Sequence, residues 1–146
     1  MPNKFLNHEE ASQLAKQLRE SNQIIVTTNG SFDILHPAHI RLLEKAKAQG
    51  NKLIVLLNSD NSIKRFKGDK RPILPEKDRV AMLSALASVD HVVIFEEDTP
   101  LSLIEKIKPH KHVKGGSFLP ERIAKEKSLL SQWNGEIWKE IVFNLC

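Results

Sequence analysis

Thr27-Thr28-Asn29-Gly30-Ser31-Phe32-Asp33-Ile34-Leu35-His36-Pro37-Ala38-His39 decides how this chain folds. The run Ile24-Ile25-Val26 just before it reads as the core of a strand from Gln23 to Thr28. It is almost continuously apolar, as strands buried on both faces of a parallel sheet are. Asn29-Gly30 then opens a loop, and the loop feeds a helix expected from about Pro37 to Gln49, with Ile40, Leu43 and Ala46 inward. With His36 as cap, Pro37 falls at the first helical position, where its fixed φ and missing N–H cost nothing. His39 lies three residues on, over the same face. A helix start of this kind turns free N–H groups and the positive end of its dipole toward an anion. Two imidazoles there are suited to donate to oxygens that gain charge in phosphoryl or nucleotidyl transfer. A single histidine at a helix start is commonly a cap or a packed residue. The pair at i,i+3, directly after a strand, Asn-Gly and Phe-Asp, favours the catalytic reading.

Outward from this stretch the pattern alternates. Lys52 to Asn58 is a second apolar strand, with Gly50 expected to stop the intervening helix. Strand, helix, strand at this spacing is a βαβ unit, so the sheet is parallel. Upstream, Asn7 to Glu20 reads as a helix capped by Asn7 with Glu10 in a capping box, and Ala11, Leu14, Ala15 and Leu18 form its packing stripe. Residues 1–22 are thus a helical N-terminal extension. Downstream, Pro75 starts a helix, His91 to Phe95 is a third strand, and Thr99 caps a helix opened by Pro100 and running to about Lys108. A short strand His112 to Lys114, a helix Pro120 to Leu130 and a closing strand Ile137 to Phe143 follow, with Trp133 and Trp138 expected to pack. The expected fold is α/β: a three-layer Rossmann-like sandwich on a parallel sheet of about five strands, in one domain spanning 1–146.

Composition bounds the function. A chain of 146 residues with 40% hydrophobic and 27% charged residues is an ordinary globular one. No apolar run approaches membrane-spanning length, the N-terminus lacks a signal-peptide core, and the one cysteine, Cys146, precludes an internal disulfide framework. A cytoplasmic protein with no membrane partner is expected. The net charge of +4 is modest and spread along the chain. A site for several phosphates accounts for it as well as nucleic acid does, and nucleic acid is not the expected partner.

Other candidates cluster after strand ends. Asn58 to Leu74 is a long polar segment holding Lys64, Arg65, Lys67, Lys70 and Arg71, read as a loop at the sheet edge where ligands bind. Such loops are more often functional than idle, although any single lysine has a competing reading as a solvated side chain. Arg79 sits near a helix start, where the dipole disfavours a cation unless an anionic ligand offsets the cost; a surface ion pair is the alternative. Gly115-Gly116 at a strand end allows a ligand ring close to the backbone. Glu96-Glu97-Asp98 reads as a solvated turn, His91, His110 and His112 as ordinary residues, and no metal site in the protein is expected.

Asn29 to His39 resembles the (T/N)-G-x-F-D-x-L-H-x-G-H motif of the cytidylyltransferase-like nucleotidyltransferases. The match continues through Val55-Leu56-Leu57-Asn58-Ser59-Asp60, Lys67-Gly68-Asp69-Lys70-Arg71-Pro72-Ile73, Phe95 to Pro100 and Val113-Lys114-Gly115-Gly116. Within that family the set is most similar to the adenylyltransferases that activate D-glycero-β-D-manno-heptose 1-phosphate, free or joined to a heptose kinase. The resemblance implies transfer of AMP from ATP to a sugar 1-phosphate with release of pyrophosphate, as in ADP-heptose and lipopolysaccharide synthesis. It implies His36, His39, Lys64 and Lys67 as catalytic residues. It implies nucleotide or phosphate contacts at Thr28, Asn29, Gly30, Ser31, Phe32, Asn58, Asp60, Arg79, Lys114, Gly115 and Gly116. Asp33 would brace the loop, Mg²⁺ would accompany ATP, and a homodimer is expected. Three positions depart from the pattern. Ala38 replaces a glycine and is expected to crowd the nucleotide, Ser117 stands where an aspartate is usual, and the chain reaches Cys146 before the Ser-Thr-Thr helix of the family. The alternatives are a cytidylyltransferase acting on glycerol 3-phosphate or a similar polyol phosphate, and a nucleotide-binding module with little or no turnover.

Overall fold

The computed structural model describes residues 4–115 and 120–140. Gly116, Ser117 and the end of the chain from 141 to 146, Phe143 and Cys146 included, lie outside the described residues. The elements in order are α1 (His8–Glu20), β1 (Ile25–Gly30), α2 (Pro37–Lys47), β2 (Lys52–Asn58), α3 (Asp60–Lys67), α4 (Glu76–Ser84), β3 (His91–Phe95), α5 (Leu101–Ile107), β4 (Lys111–Gly115), α6 (Pro120–Ser131) and β5 (Glu136–Glu140).

The five strands form one sheet in the order β3-β2-β1-β4-β5, every pairing parallel. Both faces are covered, as the unbroken apolar strands require. On β2, Ile54 and Leu56 join one core with Ala11, Ala15 and Leu18 of α1, Leu103, Ile104 and Ile107 of α5 and Leu130 of α6. Leu53, Val55 and Leu57 turn the other way and join Leu42, Leu43 and Ala46 of α2 and Leu83 of α4. That is the three-layer α/β sandwich expected from the pattern. The chain winds from β1 to β3 in one direction and continues from β4 to β5 on the other side of β1. The switch between β1 and β4 opens a crevice at the carboxyl ends of the strands, where open sheets of this kind bind ligands.

Local signals explain most boundaries. Asn7 accepts from the Glu10 N–H at 2.7 Å while Glu10 Oε1 accepts from the Asn7 N–H at 3.0 Å, so α1 starts on a complete capping box. Five details differ from the sequence expectation. First, β1 runs two residues further, because Asn29 and Gly30 pair in register with Leu56 and Leu57 of β2. Second, the 58–74 segment is not one long loop. Ser59 caps α3 by accepting from the Ser62 N–H at 3.1 Å, Asp60 stands in the first turn, and Lys64, Arg65 and Lys67 stand in the last. Cap and charges suit the helix dipole, but α3 buries only Ser62 and Ile63 and so shows no apolar stripe to read. Third, α5 starts after Pro100 with no side-chain cap from Thr99. Fourth, Trp138 is 39% exposed on the outer strand, whereas Trp133 packs and donates from Nε1 to Pro109 O at 2.9 Å. Fifth, Gly50 does not stop α2 through a left-handed conformation. A Cβ there would lie 2.7 Å from Val26 Cγ2 and 2.9 Å from the backbone oxygen of Ile24, so glycine is needed for close passage against β1.

Replacing Gly50 by Ala pushes against the branched methyls of Val26 and Ile24 and against the Ile24 backbone oxygen together. The expected cost is about 1–3 kcal/mol, read from urea unfolding midpoints. An unchanged midpoint would contradict the close packing.

Candidate active site

The loop after β1 is held by three anchors. Gly30 leaves room for the Phe32 ring, since a Cβ at Gly30 would lie 2.9 Å from Phe32 Cε2. Phe32 itself has φ of 44°, a left-handed conformation that costs about 1–3 kcal/mol for a bulky side chain unless its surroundings enforce it. They do: the ring is buried and meets the His39 ring edge-on at 5.5 Å. Asp33 is the second anchor. Its carboxylate accepts from the N–H groups of Ile73 and Leu74, both at 2.9 Å, and from Arg71 Nη1 at 3.2 Å. Burial alone would raise the Asp33 pKa, but these donors outweigh it and hold the acid below its ordinary range. Asp33 is therefore a brace, as expected.

The third anchor is Arg79. Its side chain is fully buried, with Nε donating to Leu74 O at 3.0 Å, Nη1 to Ser31 O at 2.8 Å and Asn58 O at 2.7 Å, and Nη2 to Asp60 Oδ1 at 2.7 Å. It is neither a surface ion pair nor a cation exposed to phosphate. It ties the ends of β1 and β2 to α3 and α4, and it takes up a carboxylate oxygen of Asp60.

At the start of α2, His36 caps the helix as its spacing suggests. His36 Nδ1 accepts from the Ala38 N–H at 3.1 Å, and His39 Nδ1 lies 3.3 Å from the His36 N–H. With both Nδ1 atoms accepting, each ring carries its proton on Nε2, the nitrogen away from the backbone. The ring centroids are 4.5 Å apart. Burial lowers the His39 pKa, and the nearby charges of His36 and Lys67 lower it further, so His39 is a neutral donor at pH 7.

Two pockets open along this edge and share Ser31. The smaller, about 460 Å³, is lined by Ser31, Phe32, Asp33, Ile34, His39, Lys67 and Arg71. The larger, about 600 Å³, takes in Asn29, Gly30, Ser31, Asn58 and Lys114 with Arg65 and Phe66 of α3 and one edge of α6. Lys67 Nζ reaches Ser31 Oγ at 3.3 Å, at the junction. Of the expected residues, Asn29, Gly30, Ser31, Phe32, His39, Asn58, Lys67 and Lys114 line the two pockets, and His36 backs His39. Four others stand apart. Thr28 is interior and donates to Val113 O at 2.8 Å, joining β1 to β4. Lys64 is exposed on α3 and lines neither pocket, and Asp60 is paired to Arg79. Gly115 packs closely on α2, where a Cβ would lie 2.6 Å from Leu42 Cδ2, and lines neither pocket. Ala38 is buried and lines neither pocket.

Sequence reasoning named Arg65 and Arg71 only as members of the basic segment, read His112 as ordinary and did not single out Glu126. Arg71 lines the smaller pocket, and Arg65 pairs with Asp98 at 2.9 Å across the mouth of the larger one. Buried His112 and Glu126 lie behind Asn29 and Lys114. The available signal was a charged residue on an apolar stripe: Glu126 falls three after Ile123 and four before Leu130.

This geometry agrees with comparison to known proteins. Residues 27–140 match the family model described as cytidylyltransferase-like, and the chain belongs to that family. It is 53% identical over 123 residues, 81% of its length, to the bifunctional protein HldE of Helicobacter pylori strain J99. It is 48% identical over 139 residues, 92% of its length, to the HldE of a Nitratiruptor species. The chain spans only 27% and 30% of the length of those two relatives. Among solved structures, it resembles the lipopolysaccharide core biosynthesis protein of Thermoplasma volcanium GSS1, with TM-score 0.68 and 30% identity over 82% of this chain and 96% of that one. It shares a fold with the pantoate-beta-alanine ligase of Francisella tularensis, TM-score 0.69 at 16% identity, over 96% of this chain and 67% of that one. Among the described residues no helix is long and apolar enough to cross a membrane.

Two outcomes follow for stability. Removing the Arg79 guanidinium strands a carboxylate and three carbonyls, so Arg79→Ala is expected to cost about 3–5 kcal/mol in denaturant unfolding, with Arg79→Lys recovering only part. His39, His91, His110 and His112 are all depressed from the ordinary value of 6.5, chiefly by burial. The unfolded chain therefore binds more protons below that pH. Their contribution is present above about pH 6.5 and lost as pH falls, so the calorimetric midpoint is expected to drop between about pH 7 and 5. A flat midpoint over that window would contradict neutral buried imidazoles.

Proposed function

We propose that this chain is a nucleotidyltransferase moving AMP from ATP to a sugar 1-phosphate, a heptose 1-phosphate in particular, as in ADP-heptose synthesis for lipopolysaccharide. The observation that carries the reading is the His36–His39 pair, two imidazoles turned Nε2-outward by backbone hydrogen bonds at the start of α2. An oxygen of the sugar phosphate attacks the α-phosphorus, the bond to the bridging oxygen breaks, and pyrophosphate leaves. A phosphate monoester is already anionic at pH 7, so no general base is required. The protein then contributes positioning and charge stabilisation. His36 and His39 donate to oxygens on the α- and β-phosphates. Lys67 and Arg71 face the same charge from the smaller pocket, and Lys64, one helical turn before Lys67, adds to the field rather than to a contact. Arg79 acts through the carbonyls it holds. Asn29, Ser31, Asn58 and Lys114 receive the remaining parts of the two reactants in the larger pocket.

ATP is taken as its Mg²⁺ complex, so the metal arrives with the substrate. The side chains of the smaller pocket fit phosphate rather than metal, because its one carboxylate, Asp33, is already bound by three donors. The heptose assignment is supported by similarity to the HldE proteins and by the Val113-Lys114-Gly115 stretch.

The test is pyrophosphate release with ATP or CTP, Mg²⁺ and either heptose 1-phosphate or glycerol 3-phosphate. Turnover is expected with ATP and heptose 1-phosphate. His36→Asn and His39→Asn, the first keeping a helix-capping side chain, are each expected to lower kcat by on the order of 10²–10³ with the fold intact. Full activity in the double variant would refute the mechanism. ATP binding without turnover by any pair would move the assignment to a binding module.

A further inference from the structure

The chemistry above makes no use of two buried titratable side chains, His112 and Glu126, at the inner wall of the larger pocket. His112 of β4 is fully buried, its Nδ1 2.7 Å from Thr27 Oγ1 and its Nε2 3.1 Å from Asn29 Oδ1. Glu126, on the buried stripe of α6, has a side chain only 3% exposed. Its Oε1 accepts from Lys114 Nζ at 3.0 Å. Its Oε2 lies 3.1 Å from His112 Nε2, whose single N–H it must share with Asn29 Oδ1, and has no other hydrogen-bond partner among the described residues. Lys114 Nζ also donates to Asn29 Oδ1 at 3.1 Å.

A carboxylate on an apolar helix face is costly to bury, and more so with one oxygen sharing its only donor. What it secures is the direction of two donors. Asn29 Oδ1 is occupied from the protein side by Lys114 and His112, which fixes the amide flip and leaves the Nδ2 hydrogens as the group available to a ligand. Lys114 has three N–H bonds, two of them committed to Glu126 and Asn29, and among the described residues the third has no partner. Both residues line the larger pocket. A lysine stem has many rotamers, and without Glu126 only an amide oxygen would restrain this one.

We propose that Glu126 is a positioning residue, holding Lys114 and Asn29 so that their N–H groups grip a phosphate oxygen of the reactant in the larger pocket. The ligand chemistry is a phosphate oxygen, supplied by the nucleotide or by the sugar phosphate. The proposal rests on the nucleotidyl-transfer reading for its kinetic test but not for its binding test.

The experiment measures KM and kcat for ATP and for heptose 1-phosphate separately, and calorimetric Kd for each, in the native chain, Glu126→Gln, Lys114→Met and the double variant. Glu126→Gln is expected to raise KM and Kd for one of the two ligands about tenfold, with kcat within about twofold; the affected ligand names the source of the phosphate. In the Lys114→Met background the same change is expected to add less than about twofold, since Glu126 acts through Lys114. If Glu126→Gln fails to fold, His112→Leu with Glu126→Leu replaces the buried polar pair by apolar groups and is expected to show the same tenfold weakening. Unchanged Kd for both ligands, or effects of Glu126 and Lys114 that simply multiply, would overturn the positioning role. Loss of binding in Glu126→Gln without turnover by the native chain would sink the activity while leaving the positioning role standing.

Discussion

A single buried guanidinium organises the ligand edge of this protein. Arg79 rises from α4 into the interior and collects carbonyls from Ser31, Asn58 and Leu74 together with the Asp60 carboxylate. Those groups belong to the end of β1, the end of β2, the segment before α4 and the first turn of α3. In most α/β sheets, strand ends diverge into independent loops. Here they converge on one planar cation whose fork of donors fixes distance and direction together. The loop that leads to His36 and His39 is held at this fixed point through Ser31 O and at Asp33.

Charge is therefore divided between two tasks. Arg79, Asp33, Glu126 and Asp60 are spent on structure, each with its partners inside the fold. Lys67, Arg71 and His39 face the smaller pocket, where the proposed function puts the phosphates. The division lets a modest net charge of +4 coexist with a local excess of donors at the rim, because several acids are turned inward against cations.

Much of this was legible in the sequence, unevenly. The capping box of α1, the βαβ unit and the His36 cap with Pro37 behind it are short-range features, the caps depending on residues within four positions of one another. The order of strands was not local, and neither was the fate of Arg79, whose partners lie up to 48 positions away. A cation near a helix start carries the same sequence signal whether it faces a ligand or the core. Helix α3 was hidden for a different reason: its polar composition lacks a packing stripe, and its cap alone is a weak cue. Glu126 and His112 looked ordinary because the reason for burying each is the other, and they come from separate elements joined only by the sheet.

Strand β1 stands at the centre of the sheet between β2, which follows it closely, and β4, which comes much later; Thr28 and Val113, bonded across that seam, are 85 positions apart. Closing so long a loop costs entropy that local contacts cannot offset, so pairing of this kind slows folding. During synthesis the ribosome delivers both histidines, Lys67 and Arg79 well before residue 111. A nascent chain of that length holds His36, His39, Lys67 and Arg71 and lacks Lys114 together with the strand and helix that wall the other half of the cleft. Completion of the cleft thus arrives as a late step, set by the second half of the chain and separated in time from the appearance of the two histidines.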